Sequence, residues 1–447
     1  MELLMPETGL GARRVGTVRG GMRGAAERFW CRWTLVGVAL SLAGTHTEAQ
    51  EPIPPAAPPT VAPDRPGLFH WGPFWVTPRF RLGNIGLDTN VFYTSTDRQT
   101  DFYASGGPGL GIVLPLRAAR LLLDANVGYN YFARTKSQRR WTDGAKARFE
   151  VGRGRARAGI EENYTRTFER PNFEVDRRIS TENWTTRADF TLDFTQRTEI
   201  RAEASRQQVD IPRGQDFFGT DLGKTLSRDV NRAILGLLYH VTPKTSLVLE
   251  GDYQQDRFRY QVDRDADSNR IYGGFEVRSQ TRLSGRAMGG VRLFRPKNAA
   301  QWSDRNGPYV DVNLVYRFSP HTALTATYLR DLQFSAFEPK GSTPTVDRED
   351  YGGRFEKGFL GRGSLWLYGN ISRFVTDGAV TVIDGEGNVV TAVRVDKAWQ
   401  AGADLGYYLR PKLRIGVAAT YTKRRSTFDD FGLKGLLVGG TVTYNPN

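Results

Sequence analysis

Residues 398–422 read AWQAGADLGYYLRPKLRIGVAATYT, and this stretch decides the fold. On both sides of the turn at 410–412, odd-numbered positions are apolar and even-numbered positions are mostly polar or glycine. Successive side chains of a β-strand point to opposite faces, so the stretch is predicted to form a hairpin with one apolar and one polar face. Trp399, Tyr407 and Tyr421 lie near the ends of its arms, where membrane-spanning strands carry aromatic girdles.

The composition is that of a β-barrel rather than of a helical membrane protein. The 447 residues include 25% charged and 12% aromatic residues and 49 glycines, and the formal net charge is +14. The mean hydropathy is −0.47. A barrel exposes only alternate strand residues to lipid, so its average hydropathy can be low. Basic and acidic residues are intermixed along the chain, which argues against a nucleic-acid partner.

The N-terminal part is predicted to be a cleaved signal followed by a stiff, extended spacer. Residues 1–49 combine an Arg-rich start, an apolar run at 33–43 and a small residue, Ala49, after which a signal peptidase is expected to cleave. Cys31, the one cysteine, precedes this site, so the mature protein is expected to have no disulfide and no cysteine ligand. Residues 50–73 are predicted to be a Pro-rich periplasmic segment, and residues 74–447 the barrel.

Strand-like segments follow one another from residue 74 to the end. They predict an all-β protein, a single antiparallel transmembrane β-barrel of about eighteen strands, or sixteen if segments 198–206 and 271–277 are not strands. Eight short turns alternate with long polar loops, as in outer-membrane barrels with short periplasmic turns and long extracellular loops. In the loop at 376–397, residues 380–393 are predicted to form a further hairpin that could fold over the barrel mouth.

The polar faces of the strands are predicted to line the barrel interior. Positive and negative side chains nearly balance there, which leaves two roles open: bracing the wall by ion pairs, or direct contact with a transported molecule. Glu162 falls on the lipid face in this register, and a β-bulge or a one-residue shift would correct that. The candidate pore-lining residues are Arg79, Arg81, Asp124, Lys146, Arg148, Glu150, Arg201, Glu203, Glu250, Asp252, Arg286, Arg292, Asp311, Arg354, Asp404 and Arg414.

The aromatic residues fall into two sets. Those on the polar face could stack on sugar rings, or simply pack against their neighbours. The candidate sugar-stacking residues are Trp75, Tyr309, Trp366 and Tyr368. The candidate girdle residues are Tyr129, Tyr131, Trp184, Trp399, Tyr407, Tyr421 and Tyr444. Basic residues of two connections, at 134–140 and 423–425, could contact the phosphates of outer-membrane lipid and lipopolysaccharide, or be solvated.

The sequence has no residue pattern typical of catalysis or metal binding. His70, His240 and His321 are not spaced as ligands, and no serine elbow or phosphate-binding loop is found. Residues 265–276 resemble a calcium loop, but Arg270 replaces the glycine which that loop needs. The protein is therefore expected not to be an enzyme, with no catalytic residue, no metal and no cofactor.

Residues 75–92, WVTPRFRLGNIGLDTNVF, followed by Thr100-Asp101-Phe102 and GPGL at 107–110, resemble the start of the β-barrel porin family that is found with exopolysaccharide operons. The resemblance implies an outer-membrane conduit or accessory for secretion of a capsular or extracellular polysaccharide. It further implies periplasmic polysaccharide-export proteins as partners. The chain departs from the common outer-membrane ending, because Tyr444 is followed by three more residues, so its recognition by the outer-membrane assembly machinery is in doubt.

Three other functions remain open from the sequence. A general diffusion or nutrient porin would share the same barrel. A structural adhesin could use the hairpin at 376–397 for contact. An outer-membrane enzyme would need a clustered catalytic set at the loop face, where the long loops carry no histidine.

Overall fold

A computed structural model describes residues 69–171, 174–278, 282–337, 343–383 and 389–444. Every described residue lies within one compact unit, which falls in the range 46–447. The predicted signal segment and most of the Pro-rich segment lie outside the described residues. None of the described helices is long and apolar enough to cross a membrane.

The described residues are mainly β-strands. One short helix, α1 (Leu222–Leu226), lies in a long connection, and three single 3-10 turns lie in others. The strands are β1 (Phe69–Trp71), β2 (Phe74–Asp88), β3 (Asp101–Pro115), β4 (Ala119–Phe132), β5 (Arg140–Arg153), β6 (Ala156–Glu169), β7 (Ile179–Asp193), β8 (Thr198–Asp210), β9 (Asp216–Phe217), β10 (Thr220–Asp221), β11 (Arg228–His240), β12 (Thr245–Phe258), β13 (Ala266–Val277), β14 (Leu283–Pro296), β15 (Arg305–Ser319), β16 (Thr322–Phe334), β17 (Thr345–Phe359), β18 (Gly363–Ile383), β19 (Val389–Arg410), β20 (Leu413–Ser426) and β21 (Leu433–Tyr444).

The sheet closes on itself, because β2 pairs with β3 on one side and with β21 on the other. Each remaining strand of β2–β8 and β11–β21 pairs antiparallel with the next, which makes a closed barrel of eighteen strands. The predicted fold class is confirmed. Both weak segments are strands, β8 and β13, so the count is eighteen rather than sixteen. The short strand β1 pairs only with the start of β2, and β9 and β10 form a small separate ladder.

The predicted alternation of connections is also found. The short turns lie at 116–118, 154–155, 194–197, 241–244, 278–282, 320–321, 360–362 and 411–412, all at one end of the barrel. The long connections lie at the other end. They are shorter than the sequence predicts, since β16 runs to Phe334 and β17 already begins at Thr345. Charged residues such as Asp347 and Glu349 resemble loop sequence, but they lie in strands near the barrel rim, where water can solvate them.

The pairing register fixes which side chains face inward. In β12, side chains from Ser246 to Phe258 are buried at every second position, and those between are largely exposed. At Asn84, a residue with φ of 54°, β2 shifts register against both neighbours, as at a β-bulge.

No such shift occurs at Glu162. Residues Ala147, Glu162 and Thr186 are cross-strand neighbours in uninterrupted ladders of β5, β6 and β7. The bulge or shift suggested by the sequence is therefore wrong, and Glu162 lies on the outer face. Its carboxylate accepts a hydrogen bond from the Thr186 hydroxyl at 2.6 Å, which gives the charge one polar partner on that face.

Candidate channel interior and lid

All sixteen candidate pore-lining residues lie on the inner face of the barrel wall, as the register and the burial of alternate positions show. Most of them contact each other or another inward charge. In one network Arg148 of β5 bonds Glu150 at 2.6 Å and Asp189 of β7 at 2.9 Å, and Lys146 bonds Glu161 of β6 at 2.9 Å. These side chains tie three strands together. Whether they also contact a transported molecule stays a prediction.

A glycine makes room for this network. A Cβ atom at Gly159 would lie 2.7 Å from Nη2 of Arg148, closer than any real contact, so the guanidinium lies directly over this residue. The same holds at Gly406, where a Cβ would overlap the guanidinium of Arg414. Inward glycines therefore create the space in which large charged side chains lie flat along the wall.

A second network fills the interior next to β8–β16. Arg201 of β8 reaches Glu276 of β13 at 2.9 Å, across two intervening strands. Arg286 contacts Glu250 at 3.2 Å and Asp311 at 3.5 Å. Further ion pairs of this region join Arg187 to Glu203, Arg232 and Arg270 to Asp252, and Arg270 and Arg292 to Asp331. On this side the inward charges compensate each other.

Pairs of the same kind occur next to the seam where the sheet closes. Arg79 contacts Asp124, and Arg414 contacts Asp404 and the Ser364 hydroxyl. Arg354 contacts Glu356 at 2.8 Å. The described part of the chain holds no group of three or more potential metal-ligating side chains.

The four candidate sugar-stacking rings differ in access. Tyr309 is only 3% exposed and packs on Tyr272 with ring centroids 4.8 Å apart. Tyr368 is 9% exposed, and its hydroxyl bonds Thr420. Both rings are thus packed within the wall in this conformation, and their stacking on a sugar stays a prediction.

Trp75 and Trp366 are only partly buried and lie near the short-turn end of the barrel. Trp75 contacts the ring of His70 at 4.6 Å. The guanidinium groups of Arg354 and Arg414 lie 5.0 and 4.6 Å from the Trp366 ring. For these two residues, stacking on a sugar stays a prediction.

At the other end, five long connections meet in an apolar cluster that we call the lid. Its core residues are Val175, Ile179, Ile211, Phe217, Leu222, Leu226, Ala336, Phe337, Val380, Phe428 and Phe431. They come from the β6–β7, β8–β11, β16–β17, β18–β19 and β20–β21 connections or the adjoining strand ends. The β6–β7 and β16–β17 connections start on nearly opposite sides of the ring of strands, so their contact extends over the barrel mouth.

Polar contacts hold the β6–β7 connection within the lid. Glu174 is 2% exposed and accepts hydrogen bonds from the Ala336 backbone N–H at 2.6 Å and the Ser335 hydroxyl at 2.9 Å. Burial raises the pKa of the Glu174 carboxyl, although the positive charge of Arg394 opposes this shift. Arg394 also donates to the Glu174 backbone carbonyl at 3.1 Å and lies 4.0 Å from the Phe431 ring.

Arg178 holds the same connection to the β2–β3 connection of the rim. It contacts Asp88 at 2.8 Å and the Val91 carbonyl at 2.6 Å, and its guanidinium lies over the Tyr93 ring. Asp176 contacts both Arg170 and Arg424. The hairpin predicted at 380–393 is present and contributes Val380 to the lid, but the sequence did not predict the apolar cluster that joins the five connections. Apolar residues such as Phe217, Phe337 and Phe431 within polar connections were the signal that could have indicated it.

The girdle candidates all lie on the outer face. Tyr129, Tyr131, Trp184, Trp399 and Tyr421 lie toward the long-connection end, and Tyr407 and Tyr444 lie at the short-turn end. The rings of Tyr129 and Trp141 are in contact, with their centroids 4.7 Å apart. Two aromatic bands separated by Leu, Val, Ile and Ala are the pattern of a strand wall that crosses a bilayer.

A family model described as "Putative beta-barrel porin 2" matches residues 67–445. The chain belongs to this porin family. It is therefore an outer-membrane β-barrel of porin type. No curated protein matches the sequence.

Several solved structures are similar to the chain at low identity. The copper transporter OprC has 10% identity and a TM-score of 0.44 over 82% of this chain, which spans 63% of OprC. The siderophore receptor PirA from Acinetobacter baumannii has 7% identity and a TM-score of 0.42, covering 83% of this chain and 80% of PirA. A mutant of the ferric enterobactin receptor PfeA from Pseudomonas aeruginosa has 9% identity and a TM-score of 0.44, covering 83% and 73%.

Proposed function

We propose that the protein is a gated outer-membrane channel for uncharged polar molecules, and that its cargo is a secreted polysaccharide. The observation that carries this proposal is the mutual compensation of the inward charges, as in the Arg148 and Arg286 networks. A wall whose charges pair with each other exerts little net field on a solute, so it favours neither anions nor cations. Hydroxyl-rich chains need many weak hydrogen bonds and no net charge.

The lid supports gating. A lid with its own apolar core is a folded element, so its opening has a free-energy cost that a solute or a partner must supply. Polymer export would use such an element, because an open wide pore would leak small solutes between export events. Periplasmic polysaccharide-export proteins would then deliver the polymer to the short-turn end. Trp366, near that end, could provide the first stacking surface.

A general diffusion or nutrient porin is the second candidate. The same neutral wall would also pass small sugars, and the lid would then act only as a size filter. No specific observation among the described residues favours an adhesin or an enzyme.

Two measurements test the proposal. In planar bilayers with a salt gradient, the open channel should show a reversal potential near zero, because the wall selects neither ion sign. A strongly cation- or anion-selective channel would contradict it. Deletion of the gene in the native host should reduce the amount of surface polysaccharide. Unchanged polymer together with slower uptake of small sugars would instead identify a diffusion or nutrient porin.

A further inference from the structure

Basic side chains cluster on the outer face of β18–β21, near the extracellular rim. Lys397 of β19 and Arg425 of β20 are direct cross-strand neighbours, and so are Lys423 of β20 and Lys434 of β21. Arg373 of β18 extends the first row, opposite Lys397. Of the basic run at 423–425, Arg424 points inward and contacts Asp176, so only Lys423 and Arg425 belong to this outer cluster.

Four of these cations have no ion pair. Within the part of the chain that the structure describes, Lys397, Lys423, Arg425 and Lys434 contact no carboxylate within ion-pairing distance, whereas Arg373 has Glu349 at 3.7 Å. Four outward cations of other rim strands are each paired with a carboxylate. Those pairs are Arg166–Asp143, Arg206–Asp229, Arg257–Asp267 and Arg330–Asp347, at 2.5 to 3.2 Å. The cluster thus differs from these four strand positions, where each cation has a carboxylate partner.

Neighbouring cations on one sheet face destabilise the fold unless an anion neutralises their charge. Directly opposed side chains on one face of an antiparallel sheet have Cβ atoms about 5 Å apart, and like charges at that distance repel. The Lys397–Arg425 pair and the Lys423–Lys434 pair are adjacent, because Lys423 and Arg425 are two residues apart on the same face of β20. Four cations within this small area are spaced to contact one or two phosphate groups together.

The surface below the cluster is apolar. Trp399 lies opposite Lys423, and Tyr421 and Leu436 form the next outward row toward the membrane centre. Toward the membrane centre the outer surface has only small side chains, those of Ala401, Ala403 and Ala419. A ligand that covers the whole surface would need phosphate above and hydrocarbon below.

We propose that the outer face of β18–β21 binds the phosphate groups of a phosphorylated glycolipid of the outer leaflet, with its acyl chains against the Trp399–Tyr421 surface. Lys397, Lys423, Arg425 and Lys434 contact the phosphates. Lysine and arginine are both effective phosphate ligands, and each basic residue near an anionic lipid surface adds appreciably to the affinity. The site does not depend on what passes through the channel.

Native mass spectrometry of the detergent-solubilised protein tests this site, with diphosphorylated lipid A as the probe and dephosphorylated lipid A as the comparison. Wild-type protein should retain the phosphorylated lipid and not the dephosphorylated one. The fourfold variant K397Q/K423Q/R425Q/K434Q should bind it on the order of tenfold or more weakly. The double variant K423Q/K434Q should show an intermediate loss.

The control variant R166Q/R206Q/R257Q/R330Q removes the same charge from paired positions of the rim, and should bind lipid A as wild type does. Heat-modifiable migration of each variant in gels checks that the barrel is folded. Equal loss in both fourfold variants, or equal binding of the two lipids by wild type, would overturn the proposal. So would displacement of the lipid by inorganic phosphate at a comparable concentration, since that result would assign the cations to a free anion.

Discussion

Glu174 makes the lid sensitive to pH. Its carboxyl group is enclosed by Ser335, the Ala336 backbone and Arg394, with Asp396 nearby, and burial raises its pKa. A raised pKa means that the closed lid holds the proton more tightly than an open lid, in which water solvates the carboxyl group. Closure is therefore favoured below the ordinary carboxyl pKa, and this contribution is lost as the pH rises through the raised value.

We accordingly expect the open probability of the channel to rise from acidic to neutral pH in single-channel recordings. In Glu174→Gln the amide oxygen can accept from the Ala336 N–H, and the amide nitrogen can donate to the Ser335 hydroxyl oxygen, without a charge. This variant should therefore stay largely closed and lose the pH dependence. Glu169→Gln is a suitable control, because Glu169 is exposed at the nearby end of β6. An unchanged pH dependence in Glu174→Gln would show that another group titrates.

Residue type predicted correctly whether most strand side chains lie on the inner or the outer face of the barrel. The prediction failed where an individual charged residue had a local partner. The inward position of Arg148 or Asp252 follows from alternation alone, because the opposite face must be apolar. Glu162 shows the limit of this reasoning. The free-energy cost of a charge on the lipid face favours a bulge at Glu162. In the structure the ladder is regular, and the Thr186 hydroxyl of the next strand donates a hydrogen bond to the carboxylate. The sequence does not reveal which cross-strand neighbour such a residue will have.

At the scale of elements, the β18–β19 hairpin is longer than its neighbours and connects the wall to the lid. Val380 in this hairpin is fully buried in the lid core, while Thr391 on the other arm is exposed. A charge at position 380 would be buried among Phe and Leu side chains at a cost of several kcal/mol. The barrel ladders below would remain intact.

Val380→Asp should therefore open the channel and leave the barrel folded. Because each 1.4 kcal/mol corresponds to a factor of ten in an equilibrium, we expect the open probability to rise by more than about tenfold. Uptake of a large hydrophilic antibiotic should rise in parallel in whole cells. Thr391→Asp should change neither quantity. If Val380→Asp conducts as wild type does, the lid core does not control the pore.

The strand hairpins, including the one at 380–393, were predictable, and the apolar core of the lid was not, for one physical reason. A hairpin repeats a two-residue period that is visible in the sequence at 398–422. The lid is held by contacts between segments far apart in the chain, such as Glu174 with Ala336. No local sequence period indicates that two connections will meet over a barrel mouth, although the apolar residues Phe337 and Phe431 stand out within polar segments.

At the scale of the whole molecule, the fold fixes an orientation across the membrane that can be tested directly. Long connections should face the cell exterior, and short turns the periplasm. The chain has one cysteine, Cys31, within the predicted signal segment, so introduced cysteines can be labelled with little background. Asp304 in the β14–β15 connection and Arg117 in the turn between β3 and β4 are both exposed, which makes them a matched pair.

In intact cells, a membrane-impermeant maleimide should label Asp304→Cys and not Arg117→Cys. After the outer membrane is permeabilised, both should be labelled to a similar extent, because the two positions are equally accessible to water. Thr391→Cys, on the hairpin above the wall, should behave as Asp304→Cys does. Labelling of Arg117→Cys alone in intact cells would mean that the barrel is inverted, with its lid in the periplasm. In that case neither the gating of outward flow nor the glycolipid site on the outer leaflet could stand, since both require the β18–β21 rim to face outward.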